Sequence, residues 1–444
     1  MNTPPMTITE DPRLKENWIA TALVGIYYIT LWDPPYLDIP PMTWYIVLSL
    51  ALIAALLQQR ILDFQMTKLF FSVLMLNLAG AVFSLFRAPF LDEAIWNTIG
   101  FLGNLLGYVF FLPILASRRT RAFILILHVA VAVLWSFTIK DLASSHGVLE
   151  YGTFRETGNN KNHIGICLAL SSIILLYSAV FIKLNTRQRM YALIFKIFTG
   201  GGGLLIFFYL SLIYARSSLL AAILGILCIF AVLVLNGRKL ITGLVKVTVA
   251  VSVTALVVVV MLPNVLSIST AWEKMLFAPE VNQAGNTYDD RIIILQKGFY
   301  LVGQNPILGM GIGGGRHEVH TIDRNYRITL MHNSYLADWV DKGILGLLSN
   351  VVWLVGFLVF VRKYFLRLSV TDQIWLVLSG MIFFTMFFKD LSTLCFTILT
   401  IQAGIIYEQK ILEQQQSQEQ EEDELFQNDE NRVSLPYPGS QVGS

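Results

Sequence analysis

The chain has 444 residues, 55% of them hydrophobic and 14% charged, with a net charge of +2. Soluble domains carry about 25% charged residues, and the apolar excess here is gathered into runs of roughly 15–25 residues, each about long enough to cross a bilayer. That pattern excludes a soluble globular enzyme, a disordered chain, a nucleic-acid binder and an outer-membrane barrel of alternating strands.

The fold class expected is all-α: a polytopic helical membrane protein with about twelve transmembrane helices. Residues 1–17 are polar and form an N-terminal tail without a cleavable leader, so the first apolar run doubles as the insertion signal. Nine spans are expected within 18–262, at Trp18–Trp32, Trp44–Leu57, Leu69–Leu85, Ile95–Leu115, Ala122–Ile139, His163–Ile182, Leu193–Tyr214, Ser217–Leu235 and Leu240–Leu262. Three more fall within 343–407, at Gly343–Val361, Ile374–Phe388 and Thr393–Tyr407.

Charge alternates from loop to loop. Arg13/Lys15, Arg60/Lys68, Arg118/Arg119/Arg121, Lys183/Arg187/Arg189, Arg238/Lys239 and Arg362/Lys363/Arg367 occupy one set, whereas Asp33/Asp38, Asp92/Glu93 and Asp390 occupy the other. The positive-inside rule makes the first set cytoplasmic and places both termini inside. Two outward connections exceed a turn: Lys140–Asn162, and residues 263–342 with clustered Gly, Asn, Arg and His. Long irregular loops are usually functional, so the chemistry is expected in this second, extracytoplasmic loop, which also holds short helices. The tail from Glu408 to Ser444 has nine acids against two bases and reads as a disordered cytoplasmic extension. Cys167, Cys228 and Cys395 sit in apolar runs as small core residues.

Several fragments have plain readings when taken singly. Gly309, Gly311 and Gly314 form a GxGxxG, but between spans and without the strand and helix of a dinucleotide fold; a sharply bending backbone that admits close approach of a ligand fits better. His317 and His320 have one residue too few between them for a zinc helix, and no metal site is expected. Asp289-Asp290-Arg291 opens an amphipathic helix with Ile292, Leu295, Phe299 and Val302 as an apolar stripe able to rest on the membrane surface. Arg216 alone is an arginine at a span's end, and His128 within a span is a packed core histidine. Gly200–Gly203 either breaks a helix or permits close helix packing.

Taken in order, the fragments Asn159–Gly165, Ala215-Arg-Ser217, Arg291, Asn305-Pro-Ile-Leu-Gly-Met-Gly311, His332-Asn-Ser-Tyr-Leu336 and Gly343-Ile-Leu-Gly346 resemble the O-antigen ligase and polymerase superfamily of bacterial membrane glycosyltransferases. The resemblance implies transfer of a glycan from undecaprenyl diphosphate to a glycan or glycolipid acceptor at the outer face of the bacterial cytoplasmic membrane. It further implies no cofactor, no metal and no nucleic-acid partner, with a flippase and a chain-length regulator as neighbours in surface-polysaccharide assembly. Its essential groups correspond to Arg216, Arg291 and His332, and Asn162, Asn333, Arg316, Arg324 and Arg327 are expected to bind substrate.

The chemistry suits these residue types. A departing diphosphate needs fixed positive charge, which two guanidiniums supply as paired hydrogen-bond forks. A histidine titrating near neutrality can take the proton from an attacking sugar hydroxyl. Ligase and polymerase use the same donor chemistry and stay open alternatives. A transporter for bicarbonate or another small solute is the rival class, although the expected spans hold no central acid and only Lys196 and Lys246 as central bases.

Overall fold

The computed structural model describes residues 18–32, 68–146, 161–182, 189–213, 215–235, 288–315, 333–388 and 392–433. Its regular elements there are helices: α1 (Trp18–Thr30), α2 (Lys68–Ser84), α3 (Leu91–Leu115), α4 (Arg118–His146), α5 (Lys161–Phe181), α6 (Arg189–Leu212), α7 (Arg216–Leu235), α8 (Tyr288–Gln304), α9 (Ser334–Tyr364), α10 (Val370–Thr385) and α11 (Ser392–Val433). A hydrocarbon solvent offers no partners to peptide groups, so a helix that satisfies its own backbone is the form such apolar runs adopt. Seven of these elements are long and apolar enough to cross a membrane, and α1 and α10 are shorter apolar helices. The spans expected at Trp44–Leu57 and Leu240–Leu262 lie outside the described residues.

Large apolar and aromatic side chains fill most of the space between the helices of the bundle, and glycines mark the closest approaches. Leu227, Ile197, Phe198, Phe86 and Trp96 remain exposed on its flanks, the surface that lipid would cover. The Gly200–Gly203 run does not break α6. A Cβ on Gly203 would lie 2.9 Å from Leu176 Cγ and 3.0 Å from the Ser172 carbonyl oxygen, so the glycine lets α5 and α6 approach closely. His128 is fully buried, with Nε2 on the Cys167 carbonyl (3.1 Å) and Nδ1 on Tyr28 Oη (3.0 Å). Both ring nitrogens are thus occupied within the core.

One end of the bundle is tied by charge. Arg121, fully buried in the first turn of α4, donates Nε to Asp372 Oδ1 (2.9 Å) and Nη1 to the carbonyls of Leu115 and Ala116 (2.8 Å each), and also pairs with Glu408. Arg118 Nη2 reaches Glu408 Oε1 at 3.0 Å. Asp372 is anchored in α10 by the capping Ser369, whose hydroxyl donates to Asp372 Oδ2 at 2.6 Å. These groups belong to the ends assigned inside from loop charge, and the fold gathers them at one end of the bundle.

Glu408 also marks a correction. The segment from 408 onward, expected from its composition to be disordered, continues α11 as far as Val433. Glu, Gln, Lys and Leu are strong helix formers, and the helix is anchored at its exit by buried Glu408 and Ile411. The helix α8 forms where Asp289–Arg291 announce it, and its buried face meets the expected stripe only in part, at Leu295 and Val302. Ile294, Leu301 and Val302 pack with Met310, Leu336 and Val340, whereas Phe299 is 58% exposed. The apolar residues of α8 wrap around more than one face, and its neighbour α9 selects the buried one.

Candidate functional site

The helices α5 and α7, which carry Asn162 and Arg216, and α9, which Asn333 caps, begin at the end opposite the Arg121 cluster. α5 and α7 run parallel with their first turns in contact: a Cβ on Gly165 would lie 2.5 Å from Ala215 Cβ and 2.8 Å from Ser218 Oγ, and one on Gly225 would meet Ile173. Asn162 is the second residue of α5 and Arg216 the first of α7, so their backbones adjoin. α10 is antiparallel to both. Tyr177 Oη donates to Gln373 Oε1 near its start (2.7 Å), and Gly225 faces Met381 Sδ toward its end.

α10 then joins this pair to α9. The Ser334 amide donates to the Met386 carbonyl at 2.8 Å, and Tyr335 Oη to the Phe383 carbonyl at 3.1 Å. At a rise of about 1.5 Å per residue, Arg216 stands about 13 Å beyond Gly225 and Met386 about 7 Å beyond Met381, in the same direction. The first residue of α7 and the first turn of α9 therefore share one end of the bundle.

α9 is capped by Asn333, whose Oδ1 accepts the Leu336 amide at 2.9 Å. A capping side chain satisfies a helix-end donor that would otherwise lack a partner. His332, Arg316, Arg324 and Arg327 lie outside the described residues, as do His317 and His320; His332 immediately precedes the cap. Arg291 lies in the first turn of α8, three residues before Ile294 of the cluster shared with Leu336 and Val340. The helix of Arg291 thus packs on the helix that His332 precedes.

The glycine-rich segment proves to be a brace within the protein. α9 is broken at Gly343 (φ 66°, ψ −159°), a backbone geometry open essentially to glycine alone. The Ile344 amide donates to the Ile307 carbonyl (3.1 Å), Met310 to Val340 (2.8 Å), and Trp339 Nε1 to the Pro306 carbonyl (3.1 Å). Gly309 and Gly343 approach so closely that a Cβ on Gly309 would stand 2.4 Å from the Gly343 nitrogen. Beyond it the amides of Gly313 and Gly315 donate to the Asp341 carboxylate (3.1 and 3.4 Å), and Asn97 Nδ2 donates to the Ile312 carbonyl at 3.0 Å. The close approach expected of a ligand is made here by the backbone of Asp341–Gly343.

Sequence reasoning passed over the interior of this break. Lys342, 5% exposed, donates Nζ to Asn77 Oδ1 of α2 (2.7 Å) and pairs with Asp338 Oδ1 (2.5 Å). Asn350 Nδ2 donates to Asp338 Oδ2 at 2.7 Å, and the ammonium lies 4.8 Å from the centroid of the Phe101 ring. A small cavity opens beside the pair, lined among others by Asn77, Ser334, Asp338, Asn350, Met386 and Cys395. The span expected from Gly343 starts instead at Ser334 and takes in Asp338 and Lys342, beside the two central bases expected in the spans, Lys196 and Lys246. Lys196 is exposed on α6, Lys246 lies outside the described residues, and Lys342 is interior. The four-residue spacing of Asp338 and Lys342 was the available signal.

These features define a multi-pass helical membrane protein with helix starts converging at one end beside a broken helix. Residues 201–351, about a third of the chain, match the family model described as O-antigen ligase. The match spans Arg216, Arg291 and His332, and with it the resemblance to the O-antigen ligase and polymerase superfamily holds. The chain matches none of the curated proteins with which it was compared.

Proposed function

We propose that this protein is an O-antigen ligase-like glycosyltransferase, moving a glycan from undecaprenyl diphosphate to an acceptor glycan at the outer face of the bacterial cytoplasmic membrane. The observation that carries the reading is the O-antigen ligase match over residues 201–351, within which the helices of Arg216, Arg291 and His332 gather through α10 and the α8–α9 contact. In the reaction an acceptor hydroxyl oxygen bonds to the anomeric carbon while the bond from that carbon to the diphosphate oxygen breaks. The electron pair leaves with undecaprenyl diphosphate, and the hydroxyl proton goes to His332.

Arg216 and Arg291 hold the diphosphate and stabilise its growing charge, an effect worth about two to three decades of rate per donor in other enzymes. Asn162, Asn333, Arg316, Arg324 and Arg327 bind the sugars and phosphates around them. Orientation follows loop charge: the Arg121 end is cytoplasmic, so the converging helix starts face outward. Twelve spans, both termini inside and a catalytic segment over 263–342 complete the arrangement.

The test is purified protein in liposomes with radiolabelled undecaprenyl-diphosphate glycan and, in separate reactions, a lipid A core acceptor or more donor. Label moving onto the core is the expected result. Label growing in carrier-linked length assigns polymerisation instead, and no transfer combined with solute uptake overturns the reading.

A further inference from the structure

An ion pair inside an apolar bundle is a poor stability device. Removing two charges from water costs much of what their attraction returns, and apolar replacements are often as stable. In a membrane protein such a pair marks function by default. The Asp338–Lys342 pair lies where α9 breaks. Asp338 belongs to the segment before Gly343, Asn350 to the segment after it, and Asn77 to the neighbouring α2. Lys342 spends its donors on Asp338 and Asn77 with the Phe101 ring face beside it, and each Asp338 oxygen has a partner.

The outer side of the same break is held by backbone bonds from Ile307 and Met310. The short first segment, Ser334–Lys342, is therefore fixed from two sides, by glycine-loop amides and carbonyls on one and by the buried polar set on the other. What that segment carries forward is its capped N-terminus, Asn333, with His332 immediately before it.

We propose that Asp338 and Lys342, through Asn77 and Asn350, are positioning residues that set the angle of the first α9 segment and so the place of its capping residue Asn333, which His332 precedes in the sequence. This rests on the glycosyltransferase reading above for its kinetic consequence, but its geometric consequence stands apart from it. Loss of the cation leaves Asp338 facing Asn350 without its charge partner, and the segment is then held by its backbone and side-chain bonds to the glycine loop and α10 alone, with a wider range of angles at Gly343.

Two measurements on the full chain in nanodiscs test the proposal. First, spin labels at F299C and V355C, both exposed sites, in a chain without its native cysteines, report the distance between α8 on the first segment and the long segment of α9. A narrow distribution is expected for the parent, a broadened or shifted one for K342M, and restored narrowness for K342R. Second, with undecaprenyl-diphosphate glycan as donor, K342M and D338N are expected to lower kcat at least 30-fold per folded molecule. The donor KM should stay within threefold, and K342R should recover to within tenfold of the parent.

An unchanged distance distribution in K342M overturns the proposal, as does a loss of activity that only tracks the amount of folded protein. A rise in donor KM at constant kcat also overturns it, because the pair would then be a binding element. A parent without any glycan transfer defeats the functional reading, while the label distances still decide the geometric one.

Discussion

Replacing Gly343 by alanine should unlock the break in α9, and the size of the effect can be worked from the geometry. At φ 66°, ψ −159° a residue with a side chain pays about 1–3 kcal/mol in backbone strain. Its Cβ would also stand 2.1 Å from the Ile307 carbonyl oxygen and 2.6 Å from the carbonyl carbon of Leu308. Neither is the end of a flexible side chain, so the backbone must retreat by about 1 Å to reach the 3.0 Å floor of real Cβ contacts. That movement breaks the Ile344–Ile307 bond at 3.1 Å and strains Met310–Val340 at 2.8 Å. Two such bonds contribute about 0.5–1.5 kcal/mol each. The total is about 2–6 kcal/mol, a population shift of one to four decades at the break. Hydrogen exchange at the Met310 and Ile344 amides, with thermal unfolding in the same detergent, reads it directly. Faster exchange at both amides and a lower melting temperature are expected. Gly201→Ala is the control: it lies within α6 with nothing within 4 Å of its Cβ position, and its stability should stay within about 1 kcal/mol of the parent. Parent-like exchange and melting in Gly343→Ala would refute the steric reasoning.

Further predictions follow from the same contacts. Arg121→Met removes the buried cation shared by Asp372 and Glu408 and leaves them the half-exposed Arg118; it should cost about 3–5 kcal/mol, seen as a lower melting temperature, whereas Arg121→Met/Asp372→Leu/Glu408→Leu should recover most of it. Asn333→Ala removes the α9 cap and should cost about 0.5–2 kcal/mol in a denaturant titration, with Asn333→Asp nearly neutral. Trp353→Phe deprives the buried Gln402 Oε1 of its 2.7 Å donor and should cost about 1–3 kcal/mol by the same titration.

Much of the fold can be read from apolar runs alone, because each membrane helix satisfies its own backbone and needs only length and composition to declare itself. The start of α8 was equally readable from Asp289, Asp290 and Arg291, yet its buried face was not, since Ile294 and Leu301 turn inward only because α9 lies there. Arg121, Asp372 and Glu408 are 251 and 287 positions apart in the pairs they form, a relation that loop charge hints at only by assigning all three to one side. At the candidate site, Arg216 and Arg291 stand out as cations opening apolar helices. Asp338 and Lys342 did not, because placing the span's start at Gly343 consigned both to a loop. The glycine run signalled a tight backbone, but a sequence does not say whether a ligand or the chain's own Asp341–Gly343 fills the space.

Glycan transfer by single substitutions at the two arginines and the histidine is the most direct test of the central claim. Arg216→Ala, Arg291→Ala and His332→Ala, each reconstituted at equal folded amounts with lipid-linked donor and acceptor, should transfer glycan at rates lowered by about two to four decades. Rates equal to the parent in Arg216→Ala and His332→Ala would contradict the account.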